Sequence, residues 1–267
     1  MSDLKPLVVS APFGNYLHPA GATATMGTFT VMRRGGIAAR VWRVIKTVRY
    51  YRGAGAWVNR IGLRNPGIGW VEKKVAAGKL DVSDKLISVH GFDGGQWREL
   101  VERAAALRPL GVELNMSCPN VGEVVDWQEV FESAAEVFAG GGVGVVVKLP
   151  PVRYQAMAEA ALGAGLRGFH ACNTLPVPGG GLSGRPLRPL VEGCLRWLND
   201  RPERGEMTVI AGGGVGKSAD VRAYRALGAE SVALGTKLMH PRYLFGYGGI
   251  AEIVAAAWEE MEDETVI

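Results

Sequence analysis

From Pro66 onward this 267-residue chain alternates short β-branched runs with amphipathic helical patterns, and that rhythm constrains the fold more than any other feature. A parallel strand reaches its neighbour only through a crossover, which a helix supplies. The strand-like runs are Lys85 to Gly91, Val112 to Ser117, Val143 to Leu149, Gly168 to Thr174, Met207 to Ala211 and Ser231 to Gly235. Pro6 to Ala11 and Ala22 to Phe29 add two upstream. Val143 to Leu149 is nearly all valine, as expected of a strand covered on both faces. Between the strands, helices are predicted at about Pro66 to Ala77, along the Trp97–Leu100–Val101–Ala104 stripe, and after Asp126. Others follow at Met157 to Leu162, Pro189 to Leu198, Ser218 to Leu227 and Ile250 to Glu260. Pro66 suits a helix start, and Asp126 with Glu129 forms a capping-box pattern. Eight strands in this alternation predict an α/β fold, a (β/α)8 barrel occupying residues 1–267 as one domain.

The composition is compatible with that size. At 48% hydrophobic the chain can fill one large core, and no apolar run reaches the roughly 20 residues of a membrane span, so no integral membrane segment is expected. The N-terminus lacks the basic-then-apolar pattern of a signal peptide. Cys118, Cys172 and Cys194 are scattered and form no CxxC pair, so neither a disulfide framework nor a metal or iron–sulfur site is expected within the chain. A reducing cytoplasm is the natural compartment. The net charge is only +4, yet no acidic residue lies between Asp3 and Glu72, while nine arginines and lysines fall between Arg33 and Arg64. Such a stretch suits a solvated loop, an anionic substrate, an acidic partner, RNA or a membrane surface. Its own pattern is double. Ile37, Val41, Val44, Ile45, Val48 and Tyr51 line one face of a cationic helix, but Arg40 to Tyr51 is also rich in β-formers.

In a barrel of this kind the chemistry sits at the C-terminal ends of the strands. The polar residues there are Asn115, Ser117, Cys118, Lys148, Asn173, Thr174 and Thr236. The strand from Val112 turns at Pro119, so it ends by presenting Asn115, Cys118 and Asn120 together. Carboxamides donate and accept at once, which suits a small ring carrying C=O and N–H groups. The thiol suits a proton acceptor or nucleophile, or is simply a buried structural cysteine. Lys148, ending a valine strand, needs a partner, and an anionic or electron-rich ligand would supply one. Gly212-Gly213-Gly214 and Gly235-Thr236 follow the last two strands, where barrels commonly hold a phosphate on backbone N–H groups. Ala211 to Ser218 also looks like a nucleotide-binding P-loop with alanine in the first glycine's place. It follows the seventh strand rather than the first, and Ser218 reads as a helix N-cap.

Taken in order, Val58 to Gly67, Glu113 to Asn120, Val147 to Pro151, Asn173-Thr174, Gly180 to Pro186, Ile210 to Val215 and Leu234 to Thr236 resemble the dihydroorotate dehydrogenases over nearly the whole chain. The resemblance implies an FMN-dependent barrel that oxidises dihydroorotate to orotate in pyrimidine biosynthesis. It implies Cys118 as the catalytic base, as in the soluble members, and Asn59, Asn115, Asn120, Asn173 and Thr174 as the substrate's contacts. For FMN it implies Ser10, Ala11, Asn115, Lys148, Gly184, Gly213, Gly214, Gly235 and Thr236. It also implies a homodimer, a possible iron–sulfur flavoprotein partner subunit, no nucleic-acid ligand, and a β-hairpin for Arg33 to Gly55. Other FMN barrels acting on a dihydropyrimidine or on tRNA dihydrouridine, and a non-catalytic relative, are the alternatives. Where the family usually places a second flavin-site lysine, this chain reads Asn15 and Met26-Gly27, and the loop after Cys118 is short.

Overall fold

The computed structural model describes residues 1–116, 126–240, 243 and 248–263, with backbone alone at 37–40 and 260–263. Eight parallel strands close into a barrel: β1 (Leu7–Val9), β2 (Ala22–Phe29), β5 (Lys85–Val89), β6 (Gly111–Leu114), β7 (Gly144–Lys148), β8 (Gly168–Ala171), β11 (Thr208–Gly212) and β12 (Ser231–Leu234). The first and last strands seal it, with Val8 opposite Ala233, while β1 also pairs β2 with Val8 opposite Thr23. Helices α2 (Ile68–Ala76), α3 (Gly94–Ala106), α4 (Trp127–Phe138), α5 (Tyr154–Gly163), α6 (Arg188–Asn199), α7 (Ser218–Arg225) and α8 (Gly248–Asp263) form the outer ring. This is the α/β barrel expected from the alternation.

The local reasons are visible at the caps and stripes. The Asp93 carboxylate accepts from the Gln96 amide at 2.8 Å, starting α3, which buries Trp97, Leu100, Val101 and Ala104 against the barrel. Asp126 accepts from the Gln128 amide at 3.0 Å, and α4 buries Val130, Phe131 and Ala134. Ser218, in contrast, is not the cap of α7. It lies inside the helix and donates to the Glu252 carbonyl, while Asp220 accepts from the amides of Gly216 and Lys217 at 2.8 and 3.0 Å. Those are amides a P-loop would offer to phosphate. Here a carboxylate, itself paired with Arg188 at 2.5 Å, already holds them.

The barrel lumen changes character along its axis. Val8, Leu86, Val146, Ile210 and Ala233 fill one layer, closed below by Met1, Leu4 and Leu110. Side chains two residues further along a strand point the same way. The next layer therefore includes Ser88 above Leu86 and Lys148 above Val146, joined there by Glu113 and His170. The lumen is apolar at its floor and polar at the strands' C-terminal ends.

Two segments depart from expectation. The Gly/Pro-rich stretch after Thr174, whose composition alone reads as a loop, is instead a hairpin, β9 (Leu175–Val177) and β10 (Gly180–Gly184). It pairs antiparallel with β4 (Ala56–Asn59) and β3 (Arg49–Tyr51) in a second sheet ordered β3-β4-β10-β9. Both halves emerge from C-terminal ends of barrel strands, so connectivity places this sheet over the polar end. The expected hairpin over Arg33 to Gly55 is corrected too. Only Arg49–Tyr51 is a strand, and Ile37–Thr47 forms helix α1, its 3.6-residue apolar spacing prevailing over β-branched content.

Candidate active site

Three strands deliver the polar residues at the open end. Asn115 follows β6, where its amide bonds the Val89 carbonyl and its own carbonyl meets His90 Nδ1 at 2.7 Å. With its backbone fixed on both sides, the carboxamide is aimed: Nδ2 donates to Thr28 Oγ1 at 2.8 Å, and Oδ1 accepts from Asn173 Nδ2 at 2.8 Å. Asn173 Oδ1 in turn accepts from the Thr174 amide at 2.8 Å. Asn115 and Asn173, predicted from separate strands, are thus one buried unit with Thr174 half-buried beside it. Asn59 stands apart at the end of β4 in the second sheet, its Nδ2 making a long 3.5 Å contact with the Gly181 carbonyl. Cys118 and Asn120, with Ser117, lie outside the described residues.

Below the carboxamides sits a charged cluster that inspection of the sequence missed. Lys148 finds its partner in the protein: Nζ is 3.4 Å from Glu113 Oε1, while Glu113 Oε2 is 2.7 Å from His170 Nδ1. Burial alone would push the Glu113 carboxyl up. The Lys148 ammonium and the His170 and Ser88 hydrogen bonds outweigh it and hold that carboxyl at about 2. His170 is pushed below its ordinary value, first by burial and then by Lys148, so it stands neutral with Nδ1–H donating to the carboxylate. Ser88 continues outward to Thr28 Oγ1 at 2.9 Å, and Thr28 is the partner of Asn115. A continuous polar path therefore runs from lysine to carboxamides. Its sequence signal was parity: Glu113 and His170 are polar residues at inward positions of strands that are otherwise apolar.

The glycine loops lie on the other side of the opening. Gly213 and Gly214 have φ of +143° and +76°. The Gly213 carbonyl accepts from the Tyr224 hydroxyl at 2.5 Å, and the Gly214 carbonyl from Arg188 Nη2 at 2.8 Å. In a trans peptide the next N–H points opposite the carbonyl, so Gly214 and Val215 turn their amides away from these anchors. Among the described residues no backbone carbonyl accepts from the amides of Gly213, Gly214, Gly235 or Thr236. Gly235 is half-buried with Ser10 3.4 Å from where a Cβ would stand. Ala11 follows Ser10 at the end of β1, also half-buried. Gly184 has φ +102°, and a Cβ there would lie 2.4 Å from the Gly55 carbonyl oxygen. Its glycine is required by the approach of β10 to β4. Where a second lysine was expected, Asn15 forms a reciprocal pair with Gly27, its Nδ2 donating to the Gly27 carbonyl and its Oδ1 accepting from the Gly27 amide, each at 3.1 Å.

Polar lumen, paired carboxamides, a buried lysine and amide-bearing loops after the last two strands define the class: an α/β barrel enzyme holding a phosphate-bearing cofactor beside a small polar ligand. The family described as dihydroorotate dehydrogenase matches residues 18–246. The chain is 31% identical to the dihydroorotate dehydrogenase B (NAD(+)) catalytic subunit of Shouchella clausii, over 82% of this chain and 76% of that one. It is 29% identical to the same-named subunit of Halalkalibacterium halodurans, over 76% of this chain and 78% of that one. The crystal structure of ligand-free dihydroorotate dehydrogenase from Eimeria tenella superposes with a TM-score of 0.75, at 19% identity, covering 97% of this chain and 85% of that one. The chain belongs to the dihydroorotate dehydrogenase family, whose members are FMN-dependent oxidoreductases. The amides of Gly213 and Gly214, which among the described residues have no backbone acceptor, and the buried Lys148 beneath the carboxamides fit that cofactor.

Proposed function

We propose that this chain oxidises dihydroorotate to orotate, the step of pyrimidine biosynthesis for which its relatives are named. The observation that carries the reading is the Asn115–Asn173 carboxamide pair seated directly above the Glu113–Lys148 cluster. Bound FMN would supply the hydride acceptor. The chain's residues would do the rest. Asn115, Asn173 and Thr174, with Asn59 and Asn120, hold the ring's alternating carbonyl and N–H groups and so fix the reacting carbons. Cys118, three residues beyond Asn115, takes the C5 proton on Sγ as the C6 hydride departs, which balances the two-electron oxidation. A free thiol ionises near pH 8.5, so an alkaline rate profile is expected unless neighbours lower it. Lys148 would offer a positive charge to bound FMN, which favours the negative charge that hydride acceptance brings. Ser10, Ala11, Gly184, Gly213, Gly214, Gly235 and Thr236 would hold the rest of the cofactor, chiefly its phosphate.

The relatives are named as catalytic subunits of an NAD(+) enzyme. Those names support a second subunit for this chain; that this subunit is an electron-carrying iron–sulfur flavoprotein, and that the catalytic chain is itself a homodimer, are part of the proposal. Cys172 and Cys194 are free buried thiols, which suits a reducing cytoplasm. Among the described residues no helix is long and apolar enough to cross a membrane. Anaerobic mixing of the purified yellow protein with dihydroorotate tests the proposal: the flavin absorbance should bleach within seconds to minutes. Retention of full absorbance, with bleaching by a dihydropyrimidine or dihydrouridine instead, would reassign the substrate.

A further inference from the structure

Helix α1 is mounted with its faces reversed. A surface helix normally buries its apolar stripe and shows its polar side to water. Here the polar side turns inward. Thr47 is half-buried, its Oγ1 donating to the Arg43 carbonyl at 2.8 Å and accepting from the Arg60 amide at 3.3 Å. Arg43 is half-buried too, lining a cavity of about 360 Å³ with Arg34, Arg60 and Arg64. The apolar side faces solvent: Val41 is 51% exposed, Trp42 64% and Ile45 66%, with Val44 also exposed. The chain then passes through Val48 into β3, an edge strand whose Tyr50 and Tyr51 are also exposed. Contiguous exposed apolar surface of this kind marks an interaction site.

Charge selects the occupant. Lys46, Arg49 and Arg52 stand exposed around that surface, and the sequence holds no acidic residue from Leu4 to Val71. A second copy of this chain would set cations against cations. A uniformly cationic rim instead matches a polyanionic sheet. At about 1.5 Å per residue, an 11-residue helix is far too short to span a bilayer but can lie in its plane, apolar side chains entering the acyl boundary and cations reaching headgroups. We propose that the outward face of α1, with the β3 edge, is a docking surface for an anionic phospholipid membrane. The proposal stands independently of the reaction assigned above.

The test is co-sedimentation of the purified full-length chain with vesicles of phosphatidylcholine alone and of phosphatidylcholine mixed with phosphatidylglycerol. The chain should partition onto the anionic vesicles, with a blue shift of Trp fluorescence that the Trp42→Phe variant diminishes. The double variant Trp42→Ser/Ile45→Ser should lower the partition coefficient by about tenfold or more, given what burying two such side chains contributes. Lys46→Glu/Arg52→Glu should weaken binding to anionic vesicles, and neither pair should change the flavin content. Three results would overturn the proposal. One is no sedimentation with anionic vesicles at low salt. Another is binding that 1 M salt abolishes and the apolar double variant leaves intact. The last is self-association, or capture of an acidic protein, that the apolar variant breaks while vesicle binding is absent.

Discussion

Glu113 is the residue on which the polar end of the barrel depends. It is wholly buried, and it counters Lys148 while accepting from His170. Replacing it with Gln removes the carboxylate that faces the buried Lys148 ammonium, and breaking a buried pair typically costs about 3–5 kcal/mol. Urea unfolding of Glu113→Gln should show that loss, and adding Lys148→Met should recover a large part of it. Equal stability of Glu113→Gln and wild type would mean that the pair contributes nothing. The carboxamides make a second prediction. Asn115→Ala and Asn173→Ala should each weaken orotate binding by about 1–3 kcal/mol in calorimetry. Because Asn173 Nδ2 donates to Asn115 Oδ1, the double variant should lose less than the sum. For Cys118 the expected outcome is kinetic: Cys118→Ala should keep its flavin yet reduce it about two to four orders of magnitude more slowly. An alanine variant reducing flavin at the wild-type rate would remove Cys118 from the proposed mechanism.

At the scale of elements, the two glycine loops are not equivalent probes. A Cβ on Gly214 would lie 2.9 Å from both the Gly184 carbonyl oxygen and Arg188 Cγ, at φ +76°. Gly214→Val should therefore destabilise the fold itself, whatever binds there. Gly235 has room, since among the described residues its added Cβ meets only Ser10 at 3.4 Å, and its φ of −130° is ordinary. Gly235→Ala should fold normally and lose flavin affinity, read as FMN content after gel filtration; full occupancy would place the phosphate elsewhere. The same contrast shows what could be read from sequence. Barrel strands and ring helices were legible because each carries a periodic apolar face and often a side-chain cap, as at Asp93 and Asp126. The second sheet was not. Gly180 to Gly184 has almost no side chains to alternate, and its partner Ala56–Asn59 lies over 120 residues away. Asn115, Asn173 and Lys148 were found as polar strand ends. Glu113 and His170 escaped notice because inward parity becomes visible only once the strand register is known.

For the molecule as a whole, the buried groups set an acid limit. His170 and His90 have folded values below the ordinary 6.5, both chiefly through burial. A lowered histidine contributes stability that is present above pH 6.5 and is lost as pH falls below it. Glu113, held at about 2 against an ordinary 4.5, contributes stability that is lost from about 4.5 downward. Urea midpoints should hold between pH 7 and 8, decline below 6.5 and fall more steeply below 4.5. A midpoint unchanged from pH 7.5 to 4 would uncouple both groups from folding.

The seam between β1 and β12 has a consequence for biosynthesis. Val8 waits for Ala233, so the barrel cannot close until β12 has left the ribosome. At about 5–20 residues per second, that interval is on the order of tens of seconds. Throughout it the nascent sheet presents an unpaired β1 edge of three apolar residues, Leu7, Val8 and Val9, which β12 alone among the barrel strands goes on to cover. Shielding that edge during synthesis should therefore raise the yield of native chain, read as soluble protein with and without chaperone co-expression; equal yields would mean the open edge is harmless.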